Sequence, residues 1–171
     1  TPYPKRVLVF SPHPDDAVVS MGGTIRRLVQ QGHDVRIAFQ TDGDVAVSDE
    51  DVLRSLLLAD RLTKRFENTS FKFIEDAIAR VLHKTTTDDD DSDLRYFKGS
   101  IMLSEAMMAC RQMGVPKQNL YDLHMPFYTD HPHGQGKLTE ADVAVIQDLI
   151  MQVKPHQIFF DNDLVDPHET H

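Results

Sequence analysis

The stretch Lys5-Arg6-Val7-Leu8-Val9-Phe10-Ser11-Pro12-His13-Pro14-Asp15-Asp16 joins an apolar, β-branched run to a turn dense in ionisable groups. Lys5 to Phe10 reads as a buried strand stopped by Ser11-Pro12. Ala17 to Gln31 follows, with Ile25, Leu28 and Val29 at helical spacing and Gly32 as its stop. Asp34 to Phe39 (DVRIAF) is a second strand. Strand, helix and strand in about 30 residues form the unit that links parallel strands, so a doubly wound, parallel α/β sheet is expected.

The pattern continues outward from there. Thr41 to Val47 is a polar loop, Asp49 to Arg65 a helix capped by its aspartate, and Phe73 to Lys84 a further helix. Thr85 to Asp93 (TTTDDDDSD) reads as a solvated loop. Its acidic run fails as a calcium hand, because the sixth and twelfth positions from Asp88 hold Asp93 and Gly99 instead of Gly and Glu. Ser100 to Met113 is helical, Leu120 to His124 a third strand, and Met125 to Lys137 a long loop. Thr139 to Val153 is a helix whose Val143, Ile146, Leu149 and Ile150 stripe faces a core. Ile158 to Phe160, within His156 to Asp161, is a fourth strand. In the common winding the strands lie in the order third, second, first, fourth. Ligands then bind outside the carboxyl ends of the first and fourth strands, where the winding reverses.

Composition narrows the function. The 171 residues carry 18 Lys plus Arg against 27 Asp plus Glu, a formal net charge of -9. Nucleic acid calls for a basic footprint, so it is excluded as a partner, as is an anionic membrane surface. No apolar run approaches the roughly 20 residues of a membrane span. Thr1 to Arg6 lead straight into the first strand without a signal-peptide pattern, and a cytoplasmic protein is expected. Cys110, the one cysteine, sits beside Met107 and Met108 and reads as a buried structural thiol. The absent initiator methionine and a last residue, His171, that belongs to a motif lead us to expect residues 1–171 to be one domain, excised or incomplete.

Two polar clusters fall at the expected reversal point. Ser11 to Asp16 places one imidazole and two carboxylates within four residues on a strand-to-helix turn, with Pro14 fixing a backbone angle. Asp166-Pro167-His168-Glu169-Thr170-His171 follows the fourth strand. Catalytic zinc takes three N or O ligands and leaves a position for water. His13, Asp16 and His171 would supply that set for one ion per chain. Asp15 and His168 would remain as neighbours able to move a proton and to stabilise a developing oxyanion. Iron(II), cobalt or manganese would suit the same donors. The alternative is that His13 and Asp16 cap the next helix while His168 and His171 lie on a surface turn.

Ser-Pro-His-Pro-Asp-Asp (11–16), followed by Met21-Gly22-Gly23-Thr24, resembles the LmbE-like (PIG-L) zinc-dependent N-deacetylases, and Asp166-Pro167-His168-x-x-His171 matches that family's second metal motif. The resemblance implies a Rossmann-like fold and removal of an N-acetyl group from a glucosamine-type sugar or conjugate. It also implies His13, Asp16 and His171 as zinc ligands, Asp15 as base and His168 as charge stabiliser. Arg95 to Ser100 and Lys154 to Ile158 look like the branch fused behind a glucosamine-6-phosphate deaminase-like domain. A fused or separate deaminase domain, a small amino sugar and a second copy of the chain are therefore the partners to expect. No residue is assigned to substrate binding.

Two positions depart from the family pattern. Ala17 stands where an acidic residue usually follows the Asp pair, and Met102 where an arginine usually lies three residues before Glu105. Both favour the runner-up, a non-catalytic metal- or sugar-binding domain serving a deaminase-like enzyme. His131-Pro132-His133 reads as a solvated loop, and His33, His83, His124 and His156 receive no role. Gln40, Thr41 and Asp42 either line the crevice or form an ordinary Asp-Gly turn with Gly43. A phospho-acceptor receiver fails because the third strand ends without an acceptor aspartate. Dinucleotide binding fails because no glycine precedes Gly22 in the first turn.

Overall fold

The structure, a computed structural model, describes residues 3–65, 72–85, 90–129 and 136–160. The chain falls into two compact units, Thr1–Asp42 with Leu103–His171, and Gly43–Met102.

The first unit is built on four parallel strands, β1 (Arg6–Ser11), β2 (Asp34–Phe39), β3 (Leu120–Asp122) and β4 (Gln157–Phe159), in the order β3-β2-β1-β4. That is the order expected from the sequence. β1 pairs with β2 from Arg6 opposite Asp34 to Ser11 opposite Phe39, and with β4 from Val7 opposite Gln157 to Val9 opposite Phe159. Val7 to Phe10 of β1 are all apolar because both faces of the strand are covered there. Side chains alternate across a strand. Val7 and Val9 therefore pack with Val35, Ile37 and Phe39 against Ala17 and Ile25 of helix α1 (Asp16–Gln30) on one side. Leu8, Phe10 and Ala38 pack against Leu149 and Val153 of a later helix, Glu140–Val153, on the other. Each fully buried Val, Leu or Ile contributes about 1.5–3 kcal/mol. Cys110 is buried in the first of these layers, and burial pushes its thiol up to about 11, in keeping with an inert structural role.

The second unit holds α2 (Asp49–Arg65), α3 (Lys72–His83) and the first part of α4 (Ser92–Gln112), which continues into the first unit. Val52 and Leu56 of α2, Ile74, Ala77 and Val81 of α3, and Leu94 form its core. Helix α4 begins at Ser92, eight residues before the helix expected at Ser100. Asp91 Oδ1 accepts the Leu94 N–H at 2.8 Å and supplies the start signal from inside the acidic run. Burial of Leu94, with Phe97 and Ile101 packed beside it, outweighs the roughly 1 kcal/mol that Gly99 costs inside a helix.

The acidic run is not wholly a solvated loop either. Asp90 accepts from the buried Lys98 at 2.7 Å and also pairs with Lys84, while Asp49 meets the same two lysines at 2.7 and 3.1 Å. Residues 86–89 of the run lie outside the described residues.

Smaller differences follow local geometry. The expected loop from Met125 holds a short helix, α5 (Pro126–Thr129), and the Thr41 to Val47 loop holds a 3₁₀ turn at Asp44–Ala46. β3 stops at Asp122, because His124 takes a left-handed conformation (φ 44°) incompatible with a strand. Helix α6 (Glu140–Val153) opens with a capping box between Thr139 and Asp142.

Candidate active site

β1 runs out at Ser11, and the chain must turn sharply into α1 at Asp16. Five hydrogen bonds fix that turn. Ser11 Oγ donates to the His13 carbonyl and accepts the Ala17 N–H at 2.8 Å, so one buried hydroxyl ties both ends of the loop together. Thr41, fully buried just past β2, donates its hydroxyl at 2.8 Å and its N–H at 3.0 Å to the Pro12 carbonyl. The Gln40 N–H goes to the Ser11 carbonyl at 2.9 Å. The turn is thus stitched to its own helix on one side and to the neighbouring strand on the other.

The side chains this turn presents are those the sequence singles out. His13 Nδ1 lies 3.2 Å from Asp16 Oδ2, and the same oxygen accepts the His13 N–H at 2.8 Å. Both side chains are mostly buried, whereas Asp15 is exposed. Asp15 occupies the cap position of α1 without a side-chain capping bond; the first helical amide, Asp16 N–H, goes to the His13 carbonyl at 3.3 Å and the second, Ala17 N–H, to Ser11 Oγ. Asp16 turns back onto His13. Ser11 Oγ thus supplies one of the bonds that start the helix, and the His13 carbonyl another.

The donor chemistry fits a zinc-type ion. Two donors at about 2.0–2.1 Å from one tetrahedral ion stand about 3.3 Å apart. The imidazole nitrogen and carboxylate oxygen stand 3.2 Å apart as a hydrogen-bonded pair, a separation that two ligands of one such ion can also keep. A cleft of about 90 Å³, lined among others by Phe10, Ser11, Asp16, Met21 and Phe160, opens beside the pair at the carboxyl ends of β1 and β4.

His168 and His171 lie outside the described residues, as do His131 and His133. Among the described residues no group of three His, Cys, Asp or Glu is arranged to hold a metal. His13 and Asp16 are the two expected ligands that the described residues bring together. Ala17, the first departure from the family pattern, is buried against the sheet.

Sequence reasoning raised Thr41 as a crevice residue and gave Ser11 no part beyond the cluster. Both prove to hold the loop from within. The signal was the presence of a hydroxyl residue at the end of each of two adjacent buried strands. The carboxyl end of β3 carries another pair, His124 Nε2 at 2.9 Å from Asp122. Burial pushes the Asp122 carboxyl up, against the pull of His124. His33 and His156 are structural: each accepts, through Nδ1, a backbone N–H at the start of β1, from Lys5 at 3.1 Å and Arg6 at 3.0 Å.

No helix among the described residues is long and apolar enough to cross a membrane. The PIG-L family, described as GlcNAc-PI de-N-acetylase, matches residues 8–171. A glucosamine-6-phosphate deaminase-like protein of Bacteroides thetaiotaomicron is 41% identical over 99% of this chain, which spans 26% of that protein. A diacetylchitobiose deacetylase of Thermococcus kodakarensis is 44% identical over 48 residues, 28% of this chain and 18% of its own length. The solved N,N'-diacetylchitobiose deacetylase of Pyrococcus horikoshii shares the fold with a TM-score of 0.61 at 22% identity, over 98% of this chain and 45% of its own. The chain thus spans about a quarter of its Bacteroides relative and less than half of the solved enzyme. With the family matched over nearly all of its length and the His13–Asp16 pair at the winding reversal, this chain belongs to the PIG-L, GlcNAc-PI de-N-acetylase, family.

Proposed function

We propose that the chain is a zinc-dependent hydrolase that removes an N-acetyl group from a glucosamine-type sugar or sugar conjugate, with residues 1–171 acting as one deacetylase domain. The observation that carries the reading is the His13–Asp16 pair at 3.2 Å, on a turn beside the cleft between the ends of β1 and β4. His13, Asp16 and His171 are the ligands in this reading. Zinc bound there would polarise the acetamide carbonyl and lower the pKa of a water to about 7.

The chain's own residues do the rest. Asp15, exposed next to the ligand pair, takes a proton from the attacking water and passes it to the departing amine. His168 donates to the carbonyl oxygen as negative charge builds on it. The names of the Thermococcus and Pyrococcus relatives, both diacetylchitobiose deacetylases, support an N-acetylated amino sugar as the substrate class.

A second reading is a metal- or sugar-binding domain without turnover, serving a fused or separate deaminase-like enzyme. Ala17 and Met102 favour it, as does the name of the Bacteroides relative. The two separate in one assay. Zinc-loaded protein given N-acetylglucosamine or diacetylchitobiose should release acetate and a free amine, and Asp15→Asn should slow release by about 10²–10⁴ while keeping zinc. Zinc-loaded protein that releases no acetate from either sugar would decide for the binding domain.

A further inference from the structure

We propose that Ser11 and Thr41 are positioning residues that clamp the His13–Asp16 loop in its ligand geometry; the inference rests on the zinc reading above. Ser11 Oγ is used twice, once as donor to the His13 carbonyl and once as acceptor of the Ala17 N–H. It ties the peptide of one ligand to the residue after the other. Thr41 places two donors on one carbonyl, that of Pro12, immediately before His13. Both residues are buried, at 1% and 0% exposure, and a lost hydroxyl leaves the buried groups it served without that partner.

The clamp works through Asp16 as well. Asp16 Oδ2 accepts the His13 N–H, so any slip of the His13 peptide moves both donors of the pair. A loop carrying two ligands three positions apart in sequence gains affinity from being held before the ion arrives, because less chain entropy is lost on binding. Neither hydroxyl reaches the ion or the substrate in this account. Their effect is on where His13 and Asp16 stand.

The test uses Ser11→Ala, Thr41→Val and Thr41→Ser in the full chain, with two readouts. The first is zinc affinity by competition with a chromophoric chelator, set beside the urea midpoint of the metal-free protein. Thr41→Val and Ser11→Ala should each weaken zinc about tenfold or more, while Thr41→Ser, which keeps the hydroxyl, restores wild-type affinity. The second needs no metal: amide hydrogen exchange at His13, Asp16 and Ala17 should accelerate in Ser11→Ala and Thr41→Val at matched global stability, and return in Thr41→Ser.

Wild-type affinity in all three variants, with unchanged exchange, overturns the clamp and leaves the zinc reading standing. A wild type that binds no zinc overturns the zinc reading. Accelerated exchange in that same protein would still uphold the clamp as the device that shapes the loop, and unchanged exchange would overturn it too.

Discussion

Asp142, buried in α6, receives hydrogen bonds from two separate pieces of backbone: Oδ1 accepts the Phe127 N–H and Oδ2 the Thr139 N–H, each at 2.8 Å. One carboxylate therefore joins the start of α5 to the start of α6. Burial opposes its ionisation, but the donors from Phe127 and Thr139 outweigh burial and hold it below the usual carboxylate range.

A group with a depressed native pKa adds stability that is complete above its unfolded value and is lost as pH falls toward the native one. Asp142 should thus help hold the fold at neutral pH and lose that contribution below about pH 4. Asp142→Asn should cost about 1–2 kcal/mol at pH 7 and progressively less on acidification. Urea midpoints at pH 7 and pH 3 measure the difference; equal costs at both would refute it.

Lys98, buried between Asp49 and Asp90, neutralises two carboxylates together with Lys84. Burial opposes ionisation of both aspartates, and the lysine hydrogen bonds prevail, so both are held low. Lys98→Met should cost about 3 kcal/mol, at the low end for a broken buried pair because Asp49 keeps contact with water. Adding Asp90→Asn should recover part of that loss. An additive double variant in denaturant titration would argue against coupling.

Gly114 follows α4 with φ of 91°, and a Cβ placed on it would stand 2.9 Å from Val29 Cγ1 on α1. Strain and overlap act together there. Gly114→Ala should lower stability by about 1–3 kcal/mol, read from thermal unfolding. A neutral outcome would mean that Val29 moves aside and the backbone relaxes.

Asp15 is exposed and makes no side-chain cap for α1, so its removal costs the fold little. Asp15→Asn should leave the melting temperature and zinc content within error of wild type. Turnover should fall by about 10²–10⁴, the usual worth of a positioned base. A rate loss accompanied by loss of zinc would reassign Asp15 to metal binding.

The strand order was legible because Val7 to Phe10 of β1 form a continuous apolar run, β2 is mostly apolar about Arg36, a helix of clear periodicity separates them, and parallel strands leave few ways to wind. Helix α4 was only half legible. Its first part buries Leu94 in one unit and its second part Ala106 and Cys110 in the other, so no single apolar stripe runs its length. Asp90 to Asp93, beside Gly99, also carries the composition of a loop, and only the burial of Lys98 shows what Asp90 does. At the site, His13 and Asp16 announced themselves by residue type. Ser11 and Thr41 did not, because a buried hydroxyl that clamps a loop has the same sequence appearance as one that ends a strand.

The most direct measurement is the zinc content of protein purified without chelators, wild type beside His13→Ala, with unfolding curves on both. One equivalent per chain is expected in the wild type and none in the variant, which should unfold cooperatively at about the stability of the metal-free wild type. Zinc retained by His13→Ala, or none in a folded wild type supplied with the metal, would contradict the zinc reading.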